Sequence, residues 1–283
     1  MTKVDLHLHS NYSDGSESVQ ELVNTVKNNG IKIFALTDHD TVIGCSEVYK
    51  YLPKDTTFIP GVELTCETED IKCHILGYNC DTKNEKLLSL IEKGKKLRRI
   101  KLDTRIKFLK DKWGIELTQN ELDWLYSRKS VVKTHIANIL VNRNLATDNV
   151  SAMDKYLEGC ECGKTKFEIQ EAINVILSSG AIPVWAHPLG GEGEKHVSQD
   201  EFKQQLKKMI NYGIEGLECY YSRYNLKEID FLIEQAKLNN LLISGGSDYH
   251  GTNKSVQIKC LNSLNIDVEC NKLTILEKIK PIS

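Results

Sequence analysis

Asp5-Leu6-His7-Leu8-His9-Ser10 stands almost at the start of the chain, and its reading decides the architecture. From Lys3 to Ser10 the residues Val4, Leu6 and Leu8 alternate with Asp5, His7 and His9, the period of two expected of a β-strand with one apolar face. On such a strand His7 and His9 project from the same side, with backbones ~7 Å apart, so two imidazoles can grip one metal ion. Histidine is the commonest side-chain ligand for transition metals, and carboxylates complete a hard, multi-metal site.

Outward from this strand, Ser18-Val19-Gln20-Glu21 reads as a capping box opening a helix that stops near Gly30. Ile31 to Thr37 is a short apolar strand ending at Asp38-His39-Asp40, and Phe58 to Thr65 and Ile71 to Tyr78 are further strands. Glu63 lies inside the first of these two, where a carboxylate is expensive unless paired or metal-bound, and a bridge between two metals is its natural role. His74 lies in the second. From about Thr82 to Thr165 helical spacing dominates, and this block reads as an insertion carrying His135. The βα rhythm then resumes. Helices are predicted over 168–179, 202–212 and 226–239. Strands are predicted over 181–186, 214–221 and 241–244, the first followed by His187-Pro188 and the last by Ser247-Asp248-Tyr249-His250.

Serial βα units build an open parallel sheet or a closed barrel. Acid and histidine residues fall on or just after separate strands, and a barrel brings such positions to one mouth. The expected architecture is therefore an α/β barrel in two parts, residues 1–81 and 166–283, interrupted by a helical insertion over 82–165. Asp14, in the Ser13-Asp14-Gly15 turn, is close enough in sequence to fold over the same mouth.

Composition narrows the remaining choices. The 283 residues suit one large domain, and a net charge of −2 supplies no global drive toward nucleic acid or anionic membrane. No apolar run approaches the ~20 residues that span a bilayer and no signal pattern is visible, so a cytoplasmic location is the default expectation. The nine cysteines are scattered, with no Cys-x-x-Cys pair, and read as reduced thiols. Lys93 to Lys112 holds ten Lys or Arg against two Asp. It reads first as a solvated helix face, with Arg98 and Arg99 the expected anion contacts if it reaches a substrate. Trp113, Trp124 and Trp185 read as core residues and His196 as an exposed one. Tyr220, Tyr221 and Tyr224 read as rim packing or as a platform for a nucleobase.

Taken together, Asp5-Leu-His-Leu-His-Ser-x-x-Ser-Asp-Gly15, Thr37-Asp-His-Asp40, Pro60-Gly-Val-Glu63, His74-Ile-Leu-Gly-Tyr78, His135-Ile-Ala137, Ala186-His-Pro188 and Ser247-Asp-Tyr-His-Gly251 resemble, in order, the motifs of the polymerase and histidinol phosphatase (PHP) superfamily of metal-dependent phosphoesterases. The resemblance implies a distorted (β/α)7 barrel holding up to three divalent ions, Mn, Fe or Zn. It implies one ion at His7, His9, Glu63 and Asp248, a second at Glu63, His74 and His135, and a third at Asp14, His39 and His250. His187 would stand near the phosphate as ligand or proton donor, with Glu63 and Asp248 sharing the catalytic work. Asp38 and Asp40 would orient neighbouring imidazoles. Three divalent ions outweigh the carboxylates of Asp14, Glu63 and Asp248, leaving positive charge for a phosphomonoester, with hydroxide generated at the ions attacking in line.

The single insertion looks like that of the small nucleotide-phosphatase branch, whose members dephosphorylate nucleoside 3′,5′-bisphosphates or trim short RNA from the 5′ end. That branch shows Gly-Arg-Pro-His-hydrophobic-Ala where this chain has Val132-Lys133-Thr134-His135-Ile136-Ala137. Lys133 is thus a candidate substrate contact that keeps the positive charge but not the arginine fork. The resemblance implies a phosphomonoesterase acting on a small phosphorylated metabolite, most simply a nucleotide, with short RNA as a further partner; from charge and hydropathy no membrane is expected, and no stable protein partner is predicted. The alternatives are a phosphodiesterase acting on a cyclic phosphate or short RNA, a histidinol phosphatase, and a non-catalytic metal-binding scaffold.

Overall fold

The computed structural model describes residues 2–192 and 194–279. In chain order the main elements are β1 (Lys3–Leu8), α1 (Val19–Asn28), β2 (Ile31–Leu36), α2 (Ile43–Val48), β3 (Thr57–Glu67), β4 (Lys72–Tyr78), α3 (Glu85–Trp113), α4 (Gln119–Ser127), α5 (Lys133–Asn142), α6 (Asn149–Leu157), β5 (Phe167–Glu168), α7 (Ile169–Ser178), β6 (Ile182–Trp185), α8 (Gln199–Tyr212), β7 (Gly216–Tyr221), α9 (Leu226–Leu238), β8 (Leu242–Gly246) and α10 (Ile275–Lys278). No helix among the described residues is long and apolar enough to cross a membrane.

Seven strands run β1-β2-β3-β4-β6-β7-β8, with β5 added beside the end of β3. The sheet curls into a nearly closed barrel because the ends of β1 and β8 meet: Asp248 N donates to His7 O at 2.9 Å and His9 N to Tyr249 O at 3.0 Å. The expected seven-stranded α/β barrel is present, with one strand reversed. β4 pairs antiparallel with both β3 and β6, whereas the other barrel pairs are parallel. Residues 68–71 alone join β3 to β4, closed by Thr68 N to Ile71 O at 2.7 Å. A parallel crossover needs a dozen or more residues, so this link can only be a hairpin. Reversal places the beginning of β4, with His74, at the mouth where the parallel strands end.

The eleven residues of β3 serve two partners. Thr57 to Pro60 pair with β2, and Gly61 to Glu67 pair with β4. The predicted capping box of Ser18 and Glu21 opens α1, which buries Val19, Leu22, Val23 and Val26 against the sheet.

Two separate apolar clusters pack the chain. The larger lies in and around the barrel, and the smaller holds Leu102, Leu109, Leu125, Ile136, Leu140 and Leu157 from α3 to α6. At 1.5 Å per residue α3 is about 43 Å long, so Leu87 and Leu90 lie in the barrel cluster while Leu102 and Leu109 lie in the other. Arg98, between them, is buried, paired with Asp40 and bonded through Nη2 to Thr65 Oγ1 at 2.9 Å. The expectation that Arg98 contacts substrate is corrected: its guanidinium fastens α3 to the barrel. Arg99 is likewise occupied, stacked 4.3 Å over Tyr126 with Nη2 on the Tyr126 carbonyl. The expectation of a buried Trp113 and Trp124 is also corrected, since they are 39% and 40% exposed, while Trp185 is buried.

Two outcomes follow. Gly246 closes the seam, and an added methyl group would overlap the His7 backbone, with His7 Cα only 2.9 Å away. Gly246→Ala should destabilise by about 1–3 kcal/mol in urea unfolding. Arg98→Ala leaves Asp40 buried without its cation and should lower stability by roughly 3–5 kcal/mol; Arg98→Lys, lacking the fork, should recover only part of it.

Candidate metal centre

The alternation read from β1 buries Leu6 and Leu8 in the wall and turns His7 and His9 toward the barrel axis, their rings 5.1 Å apart. Both are fully buried. Around them the structure gathers Asp14, His39 from the end of β2, Glu63 from β3, His74 from β4, His187 after β6, and Asp248 and His250 after β8.

Glu63 is the hub. Its Oε1 lies 2.9 Å from His74 Nδ1 and 3.1 Å from His187 Nε2. Its Oε2 lies 3.3, 3.2 and 3.0 Å from His7 Nε2, His9 Nε2 and His39 Nδ1. Burial pushes this carboxyl up, but His39, His74 and His7 overcome that and hold it well below the usual carboxylate range.

Whether these groups suit metal ions can be tested on the atoms themselves. His7 Nε2, His9 Nε2, Asp14 Oδ1, His39 Nδ1, Glu63 Oε2 and His250 Nε2 are all buried without a hydrogen-bond partner. Such groups are costly unless something else satisfies them. Asp248 Oδ1 is 3.5 and 3.4 Å from His7 Nε2 and His9 Nε2. Ligands at 2.0–2.1 Å around a tetrahedral ion sit roughly 3.4 Å apart. The set of His7, His9, Glu63 and Asp248 therefore has the separations of a metal-binding group. Three more groups lie beside it: His9, Asp14, His39 and His250; His39, Glu63 and His74; and His74, His187 and Glu194. The residues fit divalent ions.

Of the nine residues expected to bind metal, the structure brings eight together around Glu63. His135 belongs to none of these groups. Its Nδ1 accepts the Val132 N–H at 3.0 Å, which caps the start of α5, and its ring stands edge-on to Trp124 at 5.5 Å. Burial lowers its pKa to about 4, and Asp14 is the acid nearest in influence. The residue grouped with Glu63 and His74 is His39.

Behind the imidazoles lies a layer of carboxylates. His7 Nδ1 donates to Glu218 Oε1 at 2.9 Å, which fixes the ring and leaves Nε2 facing inward. Ser13 Oγ, 3.3 Å from His9 Nδ1, donates to Asp38 Oδ1 at 2.6 Å, so Asp38 steadies His9 through a serine. Asp40 does not orient an imidazole: it is paired with Arg98 and accepts from Thr65 N at 2.9 Å. His250 Nδ1 donates to the Asp248 carbonyl at 2.8 Å, which directs Nε2 toward Asp14 Oδ1, 3.2 Å away.

Glu218, Glu194 and Lys254 were not singled out from the sequence. Glu218 is fully buried on β7 and also accepts the His187 N–H at 2.8 Å. The signal that flagged Glu63, an acid inside an apolar strand, is equally present in Leu217-Glu218-Cys219. Glu194 Oε2 lies 3.3 Å from His187 Nδ1 and Lys254 Nζ lies 2.7 Å from Asp248 Oδ2; both come from loops whose course no sequence pattern reveals. His187 and Asp248 hold positive φ, 28° and 59°, a strain that clusters at functional sites. Lys133 starts α5, half-buried and in no ion pair among the described residues. Tyr220, Tyr221 and Tyr224 are buried at the rim, with Tyr221 Oη donating to Asp248 Oδ2 at 2.9 Å, so they offer no open platform.

Comparison with known proteins finds similar chains and a similar fold. A 5′-3′ exoribonuclease of Haemophilus influenzae is 30% identical over 253 residues, covering 88% of this chain and 90% of that protein. A 3′,5′-nucleoside bisphosphate phosphatase of Chromobacterium violaceum is 24% identical, covering 88% of each chain. The fold matches a solved amidohydrolase from Chromobacterium violaceum, bound to sulfate and without metal, with a TM-score of 0.82 at 22% identity over 98% of this chain and 95% of that one. The PHP domain profile matches residues 5–215, and the chain belongs to the PHP domain family.

Proposed function

We propose that this enzyme, a metal-dependent PHP phosphoesterase, removes a terminal phosphate from a small nucleotide, with a nucleoside 3′,5′-bisphosphate the leading substrate. The observation that carries the reading is the set of inward-facing orphan atoms around Glu63, which suits two or three adjoining divalent ions. Bound there, such ions would acidify water and offset charge on phosphoryl oxygens.

The chain's own groups complete the chemistry. A cleft lined by His39, Glu63, His74, His187, Glu194, Asp248 and Lys254 gives access to these atoms. Glu194 at Nδ1 and Glu218 at the backbone N–H hold His187 so that Nε2 faces the cleft. A proton at that nitrogen is placed to pass to the departing alkoxide. Lys254, held by Asp248, adds a fixed positive charge for the phosphoryl oxygens.

A second anionic group on the substrate is supported by the insertion. Lys101, Arg105, Lys133 and Lys166 form no ion pair among the described residues, yet lie close enough to perturb one another. Burial, reinforced by Arg98, Lys166 and Arg105, lowers Lys101 to about 7. A cluster of cations without ion-pair partners would suit a second phosphate, and Lys133 is one of them. The same cluster would suit the next phosphodiester of an RNA, and the similarity to the Haemophilus influenzae exoribonuclease favours 5′-3′ trimming of short RNA as the second reading.

His7→Ala, Glu63→Ala and Asp248→Ala should each reduce turnover of the manganese-loaded protein at least ~10³-fold and lower bound metal by elemental analysis. Full turnover in any of them would refute the assigned centre. Prolonged chelation should abolish activity, and added Mn(II) should restore it. Assayed side by side, adenosine 3′,5′-bisphosphate should release inorganic phosphate faster than histidinol phosphate or a cyclic nucleotide. Mononucleotide release from 5′-phosphorylated short RNA at a higher kcat/KM would select the exonuclease reading.

A further inference from the structure

Trp124 is anomalous: a large indole, 40% exposed, on a helix that could have turned it inward. One side of it is held, edge-on to His135 at 5.5 Å and with the Arg128 guanidinium 5.5 Å from its centroid. The rest lines a groove of about 500 Å³ with Ile139, the amides of Asn120, Asn138, Asn142 and Asn253, and Glu121, whose carboxylate is neutralised by Arg143. Asn120, Asn138 and Asn142 make no side-chain hydrogen bond among the described residues, so their donors and acceptors are free for a visitor.

The groove adjoins the metal centre. Asn253 Nδ2 donates to the Asp14 carbonyl at 2.8 Å, and Asp14 Oδ1 is one of the orphan atoms of the His9–His39–His250 group. The next residue, Lys254, lines the metal cleft itself.

We infer that this groove binds the base of the substrate, stacked on Trp124 and read by the asparagine amides, while the phosphate lies at the metal centre. The chemistry fits a heterocycle better than an apolar protein segment. Each amide offers a donor beside an acceptor, which matches the edge of a base. An apolar occupant would leave those amides desolvated and unpaired. Base–aromatic stacking is tolerant of which base is present, so the site should select nucleotides over base-free sugar phosphates without strong preference among them. The inference rests on the nucleotide reading above and deepens it.

Intrinsic fluorescence tests it directly on the whole protein, without metal turnover. Adenosine should quench the wild type and ribose 5-phosphate should not, and Trp124→Phe should remove the quenching, since Trp113 and Trp185 lie outside the groove. A kinetic arm uses Trp124→Ala: kcat/KM for adenosine 3′,5′-bisphosphate relative to that for ribose 5-phosphate should fall about tenfold, through KM rather than kcat, with Trp124→Phe recovering most of it. Should Trp124→Ala fail to fold, the exposed Asn142→Ala should still weaken adenosine binding. Absence of quenching in the wild type, persistence in Trp124→Phe, or an unchanged substrate ratio would overturn the assignment. Quenching by adenosine with no phosphate released from nucleotides would keep the site and sink the substrate reading. Phosphate release without quenching would do the reverse.

Discussion

One carboxylate organises the mouth of this barrel. Glu63 stands within 3.3 Å of five imidazoles, with Oε1 serving His74 and His187 and Oε2 serving His7, His9 and His39. An acid placed inside an apolar strand is tolerable only because so many partners converge on it. Their convergence requires the ends of β1 and β2, the middle of β3, the start of β4 and the turn after β6 to meet at one place. Barrel closure and the metal centre are thus a single constraint, seen again where Asp248 N meets His7 O across the β1–β8 seam.

The reversal of β4 serves the same end. In a uniformly parallel barrel, a residue near the start of a strand would lie at the far end from the site. A four-residue hairpin turns the strand round and delivers His74 to the mouth. Glu218 and Asp38 then work behind the ligands, one bonding His7 directly and the other acting through Ser13. The insertion carries a cluster of cations and an exposed indole, and Arg98 pins it to the residue beside His39.

Much of this was legible beforehand, for identifiable reasons. Strand periodicity put His7 and His9 on one face, the capping box marked α1, and the order of motifs implied the family. The reversal of β4 is absent from the sequence reading, although the gap between the two strand patterns is too short for a crossover. Glu218 escaped notice despite the signal that exposed Glu63. Arg98 and Arg99 are candidate anion contacts by sequence only if the basic run reaches substrate, and such a run looks the same whether its guanidinia face substrate, an aspartate or a tyrosine ring. Trp124 was read as core for the analogous reason: an indole within a helical pattern carries no mark of which way it faces.

The sequence by itself determined the residues able to bind metal, the strands that carry them and the barrel they build, because periodicity and motif spacing are local properties. Only the tertiary structure decided which acid and histidine atoms lie together, that His39 and not His135 stands within the group of Glu63 and His74, and that Trp124 lines an open groove. Those outcomes depend on distances between segments remote in the chain. His135 spends one nitrogen capping its own helix, and no local pattern reveals such a competition before the insertion has docked.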